Sequence, residues 1–163
     1  MIRDEELKRL IKYAQGMGVS VRFKPYTSKS GCSAEWNIES SEITIYVRSG
    51  ESKISQVLSL IHEIGHLKGF ANNDRKLDPK MVDALSDEDE KKKSRRRIYV
   101  DELKDTSFWE TVYRDTDCKF DMNKLYKQKD FDIWQYAVYY ETGNFPTKKE
   151  QSDKLRELRK KYG

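Results

Sequence analysis

Both histidines of this 163-residue chain lie in one run, Leu58-Ser59-Leu60-Ile61-His62-Glu63-Ile64-Gly65-His66. His62 and His66 are four residues apart with Glu63 beside the first. On a helix, positions i and i+4 project from the same face, so two imidazoles can grip one ion. Glu63 is offset by one helical step and reaches a water activated by that ion rather than the ion itself. The chemistry implied is metal-assisted hydrolysis, with Zn²⁺ as the cofactor and Glu63 as the general base. Ile54, Val57, Leu58, Ile61, Ile64 and Gly65 follow helical spacing and give the same segment a buried side.

Two histidines do not complete a catalytic zinc site, which takes three protein ligands plus water. The run from His62 to Asn72 follows the metzincin pattern H-E-x-x-H-x-x-G-x-x-H only as far as Gly69. Asn72, a neutral amide, stands at the last position, and no third histidine exists. Gly69 therefore reads as a helix terminator. A carboxylate from a later helix is the other solution, and Asp101, Glu102, Asp105 and Glu110 are the candidates. If one helix runs from Ile98 to about Asp115, then Ile98, Tyr99, Trp109, Val112 and Tyr113 form an apolar stripe. Glu102 falls near its middle, where a carboxylate is costly unless it is paired or holds metal. Glu102 is the expected third ligand, with Asp105 one turn on as a partner for a histidine's distal nitrogen. Tyr99 or Tyr113 is a candidate oxyanion donor.

The elements that must position these residues are legible in outline. A first helix is expected over 3–15, ended by Gly16 and Gly18. Strand-like runs follow at 19–26, 33–38 and 42–48, with Val19, Val21 and Phe23 on one face of the first. Short polar turns between them suggest a small antiparallel sheet. The last run, Glu42, Ile43, Thr44, Ile45 and Tyr46, is the expected edge on which a peptide substrate adds as a further strand. Glu42, Arg48 or Trp36 would bear on specificity, although Trp36 suits the core better. The motif helix is expected over 52–70 and a loop over 71–85.

The run 86–97 passes from acid to base and has three readings. It is a disordered linker, the capped start of a long helix, or a basic patch from Lys91 to Arg97 that touches nucleic acid. The helical reading takes Ser86 as cap and pairs Glu88 with Lys92 and Asp89 with Lys93. Further helices are expected over 122–128 and 131–142, the second aromatic and stopped by Gly143. A last charged helix starts at the Thr147/Glu150 capping box.

The fold class is thus α+β: an N-terminal helix, a three-stranded sheet, the active-site helix and a mainly helical second half. One domain over 1–163 is expected, with 1–70 carrying helix, sheet and motif helix, 71–97 a loop and charged segment, and 98–163 supplying the third ligand. Charged residues make up 37% and hydrophobic ones 36%, so the surface is heavily charged; ten tyrosines and three tryptophans supplement a modest aliphatic core. The net charge of +4, with acids and bases interleaved, does not by itself point to nucleic acid. Cys32 and Cys118 lie far apart and read as reduced thiols. The charged N-terminus and the lack of a long apolar run suggest a cytoplasmic protein with no membrane partner.

This order of elements around His62-Glu63-Ile64-Gly65-His66 resembles the compact zincin peptidases of phages and mobile genetic elements, the ImmA/IrrE-type proteins within the glutamate-zincin group. The resemblance covers residues 1 to about 115, and the motif is its specific part. It implies a zinc metalloendopeptidase acting on a protein or peptide in the host cytoplasm. The chain departs from the family in its long charged stretch after the motif, and Glu102-Leu103-Lys104-Asp105 is only a loose match to the family's Glu-x-x-Ala helix. No helix-turn-helix partner segment is recognisable. The alternative is a non-catalytic zincin-fold regulator that binds protein or nucleic acid. Intact Glu63 argues against it, because a non-catalytic descendant has no chemical need for that base.

Overall fold

A computed structural model describes residues 4–30, 32–70 and 77–163. The fold is α+β, in the order α1 (Asp4–Gly16), β1 (Ser20–Pro25), β2 (Ala34–Asn37), β3 (Glu42–Val47), α2 (Lys53–Phe70), α3 (Pro79–Asp83), α4 (Glu88–Thr106), α5 (Trp109–Asp115), α6 (Met122–Thr142) and α7 (Lys148–Tyr162). Contacts divide the chain into two compact units. The first comprises Met1–Leu67 and Phe108–Phe120, the second Lys68–Ser107 and Asp121–Gly163.

In the first unit, α1 buries Leu7, Leu10 and Ala14 and stops where Gly18 takes φ +84°, a conformation open to glycine. The sheet is mixed rather than antiparallel. Its order is β1-β3-β2, with β1 parallel to β3 and β2 antiparallel to it. The short 38–41 connection forces β2 and β3 into a hairpin. The 26–33 segment is long enough to carry the chain past the place next to β1, which β3 then fills. β3 is therefore the centre of the sheet and not an edge. Its Ile43, Thr44 and Ile45 are buried, and its backbone is paired on both sides, with β1 over 42–47 and with β2 over 42–45. The expected docking edge on Glu42–Tyr46 is thus already occupied. The alternation expected from Val19 to Phe23 is not kept: Val19, just ahead of β1, is buried, but Phe23 is 38% exposed.

α2 contributes Val57, Leu60, Ile61, Ile64 and Leu67 to the core of this unit. Segment 108–120 closes against α1 through polar clamps. Arg9 donates from Nε to the Thr116 carbonyl at 2.8 Å and from a terminal nitrogen to the Asp117 carbonyl at 3.0 Å. The Lys119 amide donates to buried Glu6 at 3.1 Å. These bonds hold α5 and its buried Trp109 and Val112 in the same unit as α2.

In the second unit, the 86–97 run is the start of a long helix. Its cap is Asp87, one residue later than expected, accepting from the Asp89 amide at 2.8 Å. Glu88, Asp89 and Glu90 then sit in the first turn, where the helix dipole favours acids. Glu88 pairs with Lys91 at 3.6 Å rather than with Lys92. α4 stops at Thr106, so 98–115 is two helices and not one. The stripe expected across this stretch joins residues of different elements. Conversely, 122–142 is one unbroken helix. Within the stretch expected to be a loop, Asp78 caps α3 with Pro79 in its first turn; residues 71–76 of that stretch lie outside those described. Val82, Ile98 and Tyr139 form a core with Leu77 and Tyr136. Phe145 stacks on Tyr139 with ring centroids 4.6 Å apart. Thr147 and Glu150 make the expected capping box of α7. Among the described residues, no helix is long and apolar enough to cross a membrane.

Candidate metal centre

α2 places His62, Glu63 and His66 as their spacing requires. One ligand atom from each lies within 4.8 Å of the others. The Nε2 atoms of His62 and His66 are 2.8 Å apart, with ring centroids 4.5 Å apart and planes inclined by 77°. At that separation one Nε2 donates to the other, the tautomers deciding which. A tetrahedral ion with nitrogens at about 2.0–2.1 Å sets two ligand nitrogens about 3.3 Å apart. A small rotation of either ring opens the pair to that spacing, and the donor set suits a borderline-soft divalent metal. The residues therefore fit a zinc ion.

The surroundings are apolar. Ile61 and Ile64 are fully buried on either side of Glu63, and Glu63 itself is only 6% exposed. The Trp109 ring from α5 lies 5.5 Å from the His62 ring at 58°. Sequence reasoning took Trp109 only as part of an apolar stripe. Its role as a wall beside His62 depends on the break at 107–108, which no hydrophobic period announces. Cys32, just ahead of β2, is half-buried, and its thiol donates to the Ser30 carbonyl at 3.5 Å. Burial pushes this thiol up, and the Glu35 and Glu63 carboxylates add to the effect. Cys32 is thus held as a neutral thiol within electrostatic reach of Glu63.

The carboxylate candidates separate by environment. Glu110 is on α5 and bridges to Arg114 at 3.4 Å along its own helix. Asp101 is half-buried. Glu102 and Asp105 are each 3% exposed, one turn apart on α4. Asp105 lies against Gly69 so closely that any side chain at position 69 would collide with its carboxylate. Gly69 is therefore not the terminator of α2, which continues to Phe70; it is the gap that admits Asp105.

Asp132 on α6 was not anticipated. It is 7% exposed, and one of its oxygens lies within 4.8 Å of a Glu102 oxygen. Its Oδ1 accepts from Gln128 Nε2 at 2.9 Å. The signal was present in the sequence: Asp132 shares a helical face with Leu125, Gln128 and Tyr139, but the aromatic residues around it drew the reading toward core packing.

The two tyrosines considered as oxyanion donors are placed differently. The Tyr113 hydroxyl donates to the Phe120 carbonyl, so its proton is committed, and its ring meets Phe120 edge-on at 5.0 Å. Tyr99 packs beside Tyr140 in the second unit, with centroids 5.8 Å apart. Trp36 is half-buried on β2, and Arg48 sits 4.0 Å over the Tyr26 ring. Tyr46 donates to Glu35 at 2.5 Å, which pushes its hydroxyl up to about 12, because ionisation would lose the bond and set two negative charges together. No family model, curated protein or solved structure matches this chain.

Proposed function

We propose that the protein is a zinc-dependent metalloendopeptidase in which His62 and His66 hold the ion, Glu102 is the third ligand and Glu63 is the general base. The observation that carries this reading is the convergence of the two Nε2 atoms at 2.8 Å with the Glu63 carboxylate beside them. Zinc, when bound, supplies a Lewis acid that makes water nucleophilic near neutral pH and polarises a carbonyl. Glu63 accepts the proton of the attacking water and returns it to the leaving amine. Its buried setting among Ile61 and Ile64 strengthens that role, since charge is poorly screened there. Trp109 lines the side of the His62 ring. Glu102 is assigned because it is an acid buried almost completely in a polar helix, where a cation offsets the cost of its charge.

An extended peptide is proposed to pair with β2, a true edge of the sheet. The Tyr46 amide bonds to the Ser33 carbonyl at 2.9 Å, so the alternation of an antiparallel ladder directs the backbone groups of Ala34 and Trp36 outward.

The test is the metal content of protein purified without added zinc. About one zinc per chain, lost in both His66→Ala and Glu102→Ala, is the expected result. Loss in His66→Ala alone moves the third ligand to Asp101, Asp105 or Asp132. No metal in the wild type, and none taken up on titration, overturns the reading. A peptide-hydrolysis screen with Glu63→Gln as the metal-loaded inactive control then tests the chemistry.

A further inference from the structure

The two units differ in charge. In the first, Lys and Arg are matched one for one by Asp and Glu, so the whole formal charge of +4 resides in the second. Three of the seven cations of α7 are neutralised nearby: Lys154 by Glu157 at 3.0 Å, Arg156 by Asp153 at 3.5 Å and Lys161 by Asp130 at 3.4 Å. α4 is different. At 100° per residue, Lys92, Lys93, Arg96, Arg97, Val100, Leu103 and Lys104 share one face of the helix. All but Lys104, which is half-buried, are exposed, and no acid interrupts that face beyond the first turn. Among the described residues, Lys92, Lys93 and Arg96 take part in no ion pair.

Further cations of this unit lie on other faces. Arg95 donates to the Tyr140 carbonyl at 3.4 Å and lies against Gly143, which brings the end of α6 beside α4. Exposed Lys148 and Lys149 follow within a few residues, at the start of α7, and they too have no ion pair among the described residues.

We infer that this face of α4 binds the phosphodiester backbone of nucleic acid, independently of the metal centre. Lys92 to Arg97 spans about 7–8 Å along the helix. That length matches two or three successive phosphates of one strand, which rise about 3.4 Å each. Lys92, Lys93 and Arg96, which have no ion pair among the described residues, lose little on meeting phosphate and release the counterions condensed on it. Val100 and Leu103 are the apolar residues of the face, and it carries no aromatic ring. A helix lying in a lipid surface would instead present a continuous apolar stripe. The contacts are to backbone, so binding should be indifferent to sequence.

The experiment is fluorescence anisotropy of a labelled DNA duplex and of its single strand, read against salt with the full-length chain. The expected result is binding at low salt that falls steeply as salt rises. The Lys92→Glu/Arg96→Glu variant should weaken it about tenfold or more, while Lys24→Glu/Lys29→Glu in the neutral unit leaves it within about twofold. Should the α4 variant lower the melting temperature, Lys93→Gln/Arg96→Gln replaces it, with the same expectation. No binding at low salt, equal losses in the test and control variants, or binding to phosphatidylserine vesicles without binding to DNA overturns the proposal.

Discussion

α2 and α4 bury opposite kinds of residue. α2 buries Val57, Leu60, Ile61, Ile64 and Leu67, with Glu63 set among them. α4 buries Ile98 together with Glu102, Asp105 and Thr106. The first helix is held by apolar area, about 1.5–3 kcal/mol for each large side chain removed from water. The second cannot be, because a buried carboxylate costs free energy unless something offsets its charge. In α2 the proposed ligands therefore ride on a helix that the core already fixes. In α4 the buried acids share the helix with one buried aliphatic residue, Ile98, so apolar area fixes it less.

Breaking the chemistry of α2 should give the largest effect. Glu63→Gln keeps the two imidazoles and removes the base, so peptide hydrolysis should fall about 10²–10⁴-fold with metal content unchanged. An equal rate in the loaded variant would dissociate Glu63 from the reaction. Next in size is the packing of the same helix. Ile64→Ala leaves a void at a fully buried site and should cost about 2–5 kcal/mol in urea unfolding. Glu102→Gln, measured without metal, should show no comparable loss and should raise or preserve the midpoint. A loss as large as that of Ile64→Ala would mean that α4's acids hold the fold. Gly69→Ala should cost about 1–3 kcal/mol through its collision with Asp105. An unchanged melting temperature there would show that Asp105 can move aside.

The smallest expected effect lies in the sheet. Tyr46 keeps its proton to about pH 12 in the folded chain and loses it near 10 when unfolded, so stability should decline across that window. Glu35→Gln should lower the Tyr46 titration toward the ordinary tyrosine range. Absorbance titration against Tyr46→Phe identifies the transition, and no difference between the two Glu35 forms would remove Glu35 as its cause.

What the sequence made legible was local. His62, Glu63 and His66 follow from spacing on one helix, and Thr147 with Glu150 from one turn. The strand positions came from alternation and β-branching, but their partners did not, because pairing is fixed by what the connections can reach. That is why Glu42–Tyr46 was read as an edge and stands in the centre. The break at 107–108 was missed because Trp109 and Val112 continue an apolar period that spans two helices as readily as one. Asp132 and the Gly69–Asp105 approach were missed for another reason: each is defined by a contact between residues far apart in the chain.

The ring of Trp109 beside His62 has a consequence for observation. Indole emission is quenched by a nearby imidazolium and responds to charge placed at short range, so this tryptophan turns the state of the histidine pair into light. Trp36 and Trp134 add a background, which the Trp109→Phe difference spectrum removes. The chain thus carries its own optical reporter, built from a side chain whose first duty is to fill the core.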